Sequence, residues 1–453
     1  MILELITIEN ESKLVNPSKM LDNNYDFIDE ENNIWLKAKI ENNRFIVIEK
    51  NELISDEDIV LSSKLDKILL EIIESEQSGT ENTELDFSEE HSPFDPEKIK
   101  VHAKPFSLRL ISDMIDDNDI DLSPDFQRHF VWNSAQKSRL IESILLRIPL
   151  PMFYFSEDNE GRITIVDGLQ RLTTIKEFMD NKFPLRNLEY LEDSCGGRYY
   201  QSEGKKVGLD AKYLRWFNQT QFSVNVIDPS SPPKVKYDIF RRINTGGKPL
   251  NNQEIRNCLA GTSLREVINE MVALSEFKSA TDYSIKPTRM DDQELALRFI
   301  LFSRFIENKG NIYEYSGYMD SSLDDLTEEL SKLPKNDLEK YVALFSSSMK
   351  NAEYLFGSRF AFRKVRPHDL WPNAYKQLIN KALFVSCSVL LSNYNNESVC
   401  KLNPEKALLM PLAKSIDEDQ EFLKFLSYGT NGRNNLLYVF DKVSTIIDSN
   451  LKI

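Results

Sequence analysis

The chain has 453 residues, 41% of them hydrophobic and 28% charged, a balance that fits a soluble globular protein and excludes wholesale disorder. Its net charge of −16 argues at first against a polyanionic partner, but residues 1–100 hold 25 acidic and 10 basic side chains while the rest holds 47 and 46. No apolar run approaches the ~18 residues that span a bilayer, and the N-terminus lacks the features of a signal peptide. The four cysteines and four histidines are too scattered for a zinc site or a disulfide framework. A cytoplasmic protein without a membrane partner is expected.

In chain order, residues 1–76 read as a small acidic mixed unit. Trp35–Ile40 and Arg44–Glu49 are strand-like runs joined at Glu41-Asn42-Asn43, and Leu61–Ile73 has helical apolar spacing. From Glu74 to Pro96 there is no Lys or Arg and little apolar surface, so residues 77–98 are expected to be a flexible acidic linker. In the central region, residues 99–262, Asn133 or Ser134 can cap a helix running to Arg147. Strands are expected over Pro151–Ser156, Arg162–Val166 and Phe222–Ile227. Helices are expected after Gly168 and over Pro233–Ile243, with a further one opened by an Asn251/Glu254 capping pair. Residues 263–453 read as helical, with apolar-periodic segments at Leu264–Ser275, Asp292–Glu307, Leu338–Leu355, Trp371–Leu391 and Glu418–Leu426.

Three polar constellations lie in the central region. Gln127 and Arg128 stand in Phe126-Gln127-Arg128-His129-Phe130-Val131-Trp132, ahead of the Asn133/Ser134 cap. There a guanidinium and free helix amides can hold a phosphate, or Arg128 is a surface residue beside an aromatic anchor. The second is Val166-Asp167-Gly168-Leu169-Gln170-Arg171-Leu172-Thr173-Thr174, a strand-to-helix turn. Asp167 can position a divalent ion or a water, Gln170 can orient that water, and Arg171 can neutralise a phosphoryl group. Equally, this is an Asp-capped helix start with a solvated arginine. In the third, Asn244-Thr245-Gly246-Gly247-Lys248 follows a helix carrying Arg241-Arg242, where two glycines either form an anion nest or cap the helix.

Together these segments resemble the DGQQR-type ParB/sulfiredoxin-like domain of the N-terminal half of GmrSD-type modification-dependent restriction enzymes. The order is shared from about Phe106 to Thr262: aromatic-Gln127-Arg128, then Leu140-Ile141-Glu142-Ser143-Ile144-Leu145 leading to Pro149-Leu150-Pro151. After these come the Asp167 signature, Phe240 to Gly247, and Gln253-Glu254-Ile255-Arg256. The resemblance implies an α+β, ParB-like central domain followed by a mostly helical C-terminal domain. It also implies binding and hydrolysis of a nucleoside triphosphate with Mg²⁺ or Mn²⁺, in DNA-directed defence against phage or foreign DNA. Carried onto this chain, Asp167, Gln170 and Arg171 are the expected catalytic residues, with Asp167 at the metal. Gln127, Arg128, Gly168, Thr173, Thr174, Asn244, Gly246, Gly247 and Lys248 are expected to bind the nucleotide.

Two departures stand out. Leu169 replaces the first Gln of the signature, which removes a polar group from the expected site. The HNH-type nuclease half is also missing its pattern: His368-Asp369-Leu370-Trp371-Pro372 lacks the neighbouring His and Asn. The expectation is therefore a nucleotide-hydrolysing protein gating a nicking or cleaving activity on DNA, alone or with a partner protein or a second copy. The alternative is a catalytically silent nucleotide-sensing or DNA-recognition module serving a separate nuclease. Lys205-Lys206, Lys212, Arg215-Trp216 and Arg241-Arg242 are scattered cationic candidates for DNA contact. The acidic residues 1–100 are expected to compete with nucleic acid for the rest of the chain and restrain it.

Overall fold

A computed structural model describes residues 3–9, 11–19, 24–29, 33–41, 44–81, 99–120, 122, 132–158, 160–243, 250–307, 312–371 and 374–452. The N-terminal part forms β1 (Leu3–Ile6), β2 (Ser12–Lys19), β3 (Asn24–Ile28), β4 (Ile34–Glu41), β5 (Arg44–Lys50) and α1 (Asp58–Ser78). The central part follows as β6 (Val101–Ser107), α2 (Leu108–Asp116), α3 (Ser134–Leu145), β7 (Phe153–Glu157) and β8 (Ile163–Asp167). It continues with α4 (Leu169–Met179), α5 (Glu192–Cys195), α6 (Ala211–Gln219), β9 (Gln221–Ile227), α7 (Pro233–Ile243) and α8 (Asn252–Leu259). The remainder is helical: α9 (Thr262–Ala273), α10 (Ser275–Ala280), α11 (Asp291–Glu307), α12 (Met319–Ser331) and α13 (Lys335–Phe356). After these come α14 (Lys381–Leu391), α15 (Asn396–Leu402), α16 (Leu409–Glu418), α17 (Gln420–Ser427) and α18 (Arg433–Asn450). The expected mixed α+β architecture with a helical C-terminal part is what the chain adopts.

The chain divides into two compact units, Glu90–Ala260 and the combination of Met1–Glu89 with Gly261–Ile453. In the central unit the sheet order is β6-β9-β7-β8. The pair β7/β9 is parallel, while β6/β9 and β7/β8 are antiparallel. Both faces are covered. Phe153, Phe155, Ile163, Ile165, Val224 and Val226 pack with residues of α2, α3, α4 and α6. Val166 and Ile227, one position out of phase, pack instead with Tyr237 of α7 and Ile255 and Cys258 of α8, as the two-residue period of a strand requires.

In the other unit, an antiparallel meander β1-β2-β3-β4-β5 closes its core under α1 through Leu61, Leu65, Ile68 and Ile72. The sheet is joined to the C-terminal helices. Asn16 donates to the Ser427 carbonyl at 2.9 Å, and the Tyr428 hydroxyl donates to the Ile28 carbonyl at 2.7 Å. The helices pack around aromatic rings, with Phe299 and Phe345 centred 4.9 Å apart. Arg363, fully buried, donates to the carbonyls of Gln377, Ser358, Ala361 and Thr281.

Two expectations change here. Helix α1 runs on to Ser78, and Gly79–Glu81 are held by Ile379 and Asn380, just ahead of α14. The Ile379 N–H donates to the Gly79 carbonyl, the Glu81 N–H to the Ile379 carbonyl, and Asn380 to the Glu81 carboxylate at 2.8 Å. The start of the expected linker is therefore folded, and residues 82–98 lie outside the described residues. The predicted helix Trp371–Leu391 begins only at Lys381. Just before it, Ile379 bridges to Thr80 and Arg363, and Arg363 takes the Gln377 carbonyl. The expected Asn42-Asn43 turn lies outside the described residues.

Candidate functional site

Asp167 ends β8, and Gly168 turns the chain into α4 with φ of 104°. Two constraints demand glycine there. A left-handed φ is costly for any residue with a Cβ, and a Cβ at this point would overlap the Phe153 ring. Leu169, Leu172, Ile175 and Phe178 bury one stripe of α4 in the core of the central unit. Gly168 supplies no side-chain cap, so the first-turn amides of α4 have no capping group from that residue. Their partial positive charge favours an anion.

Arg171 is tied to the turn before it. Its Nη2 donates to Asp167 Oδ2 at 2.6 Å and to the Met152 carbonyl at 3.2 Å, and Nη1 donates to the Pro151 carbonyl. Its guanidinium carbon lies 4.1 Å from the centre of the Phe153 ring. Only 12% of the side chain is exposed. Burial lowers its pKa from the ordinary value, and the Asp167 charge opposes that shift. Arg171 thus clamps the end of the α3–β7 connection to the β8–α4 turn. Asp167 keeps a third of its side chain in solvent.

Gln170 and Thr173 are half-buried. Thr174 is buried and has almost no surface to offer a nucleotide. Leu169 belongs to the core of the central unit. Its side chain therefore packs inward rather than leaving a gap among polar groups. Gln127, Arg128, Asn244, Gly246, Gly247 and Lys248 lie outside the described residues.

Among the described residues no group of three or more His, Cys, Asp or Glu side chains is placed to hold a metal ion. Asp167 is the single carboxylate of the turn and is already neutralised by Arg171. Magnesium is bound through one or two carboxylates together with substrate oxygens and waters, so the donor set described here does not fit a metal held by the protein alone.

Several structural roles in this region were not assigned from the sequence. Glu142, buried in α3, accepts the N–H groups of Glu189, Tyr190 and Leu191 at 3.0, 2.7 and 2.9 Å. A lone acid within an apolar helical face was the available signal. The caps expected from the sequence are present: Asn133 caps α3 and Asn251 caps α8, each with a complete capping box. Gln253, Glu254, Arg256 and Asn257 are all buried on α8, a polar cluster inside the central unit.

Residues 111–260 match the family described as the GmrSD restriction endonuclease, N-terminal domain. Over these residues the central unit is similar to that domain. The GmrSD match begins within α2 and ends just after α8, so it takes in the Asp167 turn, the Arg171 clamp and Glu142. It covers about a third of the chain. No curated protein matches the sequence. Among the described residues no helix is long and apolar enough to cross a membrane.

Proposed function

We propose that the central domain binds and hydrolyses a nucleoside triphosphate and thereby gates a DNA-directed, restriction-type activity. What supports this reading is the Asp167-Gly168 turn, with α4 started by glycine and without a side-chain cap from it, inside a region similar to the GmrSD N-terminal domain. The first-turn amides of α4 receive phosphate oxygens, and Asp167 and Gln170 hold the attacking water. Arg171 acts as a positioning residue, keeping the turn and the 151–152 carbonyls in one arrangement. Phosphoryl transfer relies mainly on positioning and charge stabilisation, so removing one preorganised group costs roughly 10²–10³ in rate.

The test is phosphate release from a panel of nucleoside triphosphates, with Mg²⁺, Mn²⁺ or chelator and with or without DNA. Wild type turns over at least one of them, and folded Asp167→Ala loses about two orders of magnitude. Wild-type turnover in that variant removes the turn from consideration. A second reading, a silent nucleotide sensor serving a separate nuclease, is favoured by the occupied donors of Arg171 and by Leu169 in the core. Nucleotide affinity without phosphate release, and no nicking of supercoiled plasmid, selects it.

A further inference from the structure

The central unit brings Arg147 to a cationic, aromatic stretch of α6 that lies more than sixty residues away in the sequence. The Arg147 guanidinium carbon lies 4.8 Å from the centre of the Trp216 ring, and the Lys212 ammonium lies 4.6 Å from the same centre. Lys212 is also 5.4 Å from the Tyr213 ring, which meets Trp216 edge-on at 5.6 Å. Arg215 sits three residues after Lys212 on α6, a spacing that makes them neighbours on the helix surface. Arg147, Lys212 and Arg215 are all exposed.

Several other cations of the central unit are paired. Arg162 pairs with Asp158, Lys137 with Glu177 and Lys176 with Asp180. Asp210, at the start of α6, stands 3.8 Å from Arg198. Among the described residues, Arg147, Lys212 and Arg215 have no carboxylate partner, and the Trp216 indole N–H has no acceptor. Arg147 also holds a left-handed backbone at φ of 60° just past the C-cap of α3. Glycine or asparagine is the low-cost residue at such a position, and an arginine there brings its charge over the tryptophan. Packing alone does not require two uncompensated cations against one ring with a third beside Lys212 on the same helix.

We infer that Arg147, Lys212, Arg215 and the Trp216 N–H form a contact surface for the phosphate backbone of DNA. The inference rests on the DNA-directed reading above and names the surface that reading leaves unassigned. Two cations already lie over the Trp216 ring, so what this surface offers is positive charge and an N–H donor rather than a bare stacking face. Such contacts position a duplex and carry no sequence information. They also make affinity depend on salt, at close to one unit of slope per phosphate neutralised.

The test uses the full chain and a short duplex, with binding followed by anisotropy between about 50 and about 200 mM salt. In Arg147→Gly/Lys212→Gln the glycine suits the left-handed backbone, so the melting temperature stays at or above wild type. Affinity falls about tenfold or more at low salt, and the salt slope drops by about two. Lys401→Gln, on α15, leaves affinity and slope as in wild type. Unchanged affinity and slope in the folded double variant overturns this surface while leaving the DNA-directed reading intact. An equal loss in Lys401→Gln also overturns it, because the effect is then general charge. A wild-type protein that does not bind duplex at low salt overturns the DNA-directed reading itself.

Discussion

Arg171 lies with its guanidinium carbon 4.1 Å from the centre of the Phe153 ring while its Nη2 reaches Asp167 at 2.6 Å. One side chain thereby joins the aromatic start of β7 to the carboxylate that ends β8. The same guanidinium takes the carbonyls of Pro151 and Met152, so a planar fork of donors is used in full geometric register.

Replacing that fork by an ammonium tests the clamp. Arg171→Lys keeps the charge but cannot reproduce the planar, multiply bonded contact. We expect the central unit to lose about 2–4 kcal/mol, from several charge-assisted hydrogen bonds and the ring contact, with nucleotide turnover falling alongside it. Denaturation and phosphate release are measured on the same sample. Unaltered denaturation with lost turnover would move Arg171 from positioning the turn to touching phosphate directly.

Gly168 is tested by a single methyl group. Gly168→Ala places a Cβ at φ of 104° and against Phe153. The backbone cost of about 1–2 kcal/mol adds to an overpacking cost of about 1–3 kcal/mol. Urea denaturation should show the central unit losing roughly 2–5 kcal/mol, the sum of these two costs. Gly161, also at positive φ but with open space around it, should lose only the backbone part.

Removing the acidic N-terminus should do more than remove charge. Residues 1–81 supply the Ile28 carbonyl to Tyr428, Asn16 to Ser427 and Glu81 to Asn380. These three and the two backbone bonds that pair Gly79 and Glu81 with Ile379, at about 1 kcal/mol each, correspond to a melting temperature lowered by roughly 10–20 °C in the helical unit. Thermal unfolding of the truncated chain reads this directly. A truncated protein that melts like wild type and binds DNA more tightly at low salt would instead support simple electrostatic restraint.

Asp292 makes stability depend on pH. Burial raises its carboxyl to about 6, reinforced by Asp291 and opposed by the Gln293 N–H and by Lys278. The native state therefore keeps a proton that the unfolded chain releases near pH 4. Stability falls as pH rises through that interval, and the full cost, about 3 kcal/mol, is present above about pH 6. Asp292→Asn retains an acceptor for the Gln293 N–H without the charge. It should stabilise the helical unit by about 1–3 kcal/mol near pH 7.5 and by little near pH 4.5. Equal gains at both values would show that ionisation is not the cause.

Legibility in the sequence followed the range of the interaction. The α3 cap at Asn133, the Asn251/Glu254 box and the strands that precede Gly168 are local, because capping and two-residue alternation are decided within a few positions. The helix start missed at Lys381 is non-local, since Ile379 just before it is paired with Thr80 and Arg363. Glu142 was visible within a motif, but its three amide donors lie 47–49 residues further on.

By itself the sequence determined the mixed class, the helical C-terminal part, the glycine turn after Asp167 and the restriction-enzyme likeness of the central domain, all carried by local pattern and residue order. Only the tertiary structure decided that Leu169 packs inward, that Arg171 is held by carbonyls and an aromatic ring, and that Arg147 meets Lys212 over Trp216. Such relations depend on which helix face is buried and which distant segments approach each other. The net charge, which looked decisive at the outset, decides little, because electrostatics act through the few cations that folding places side by side.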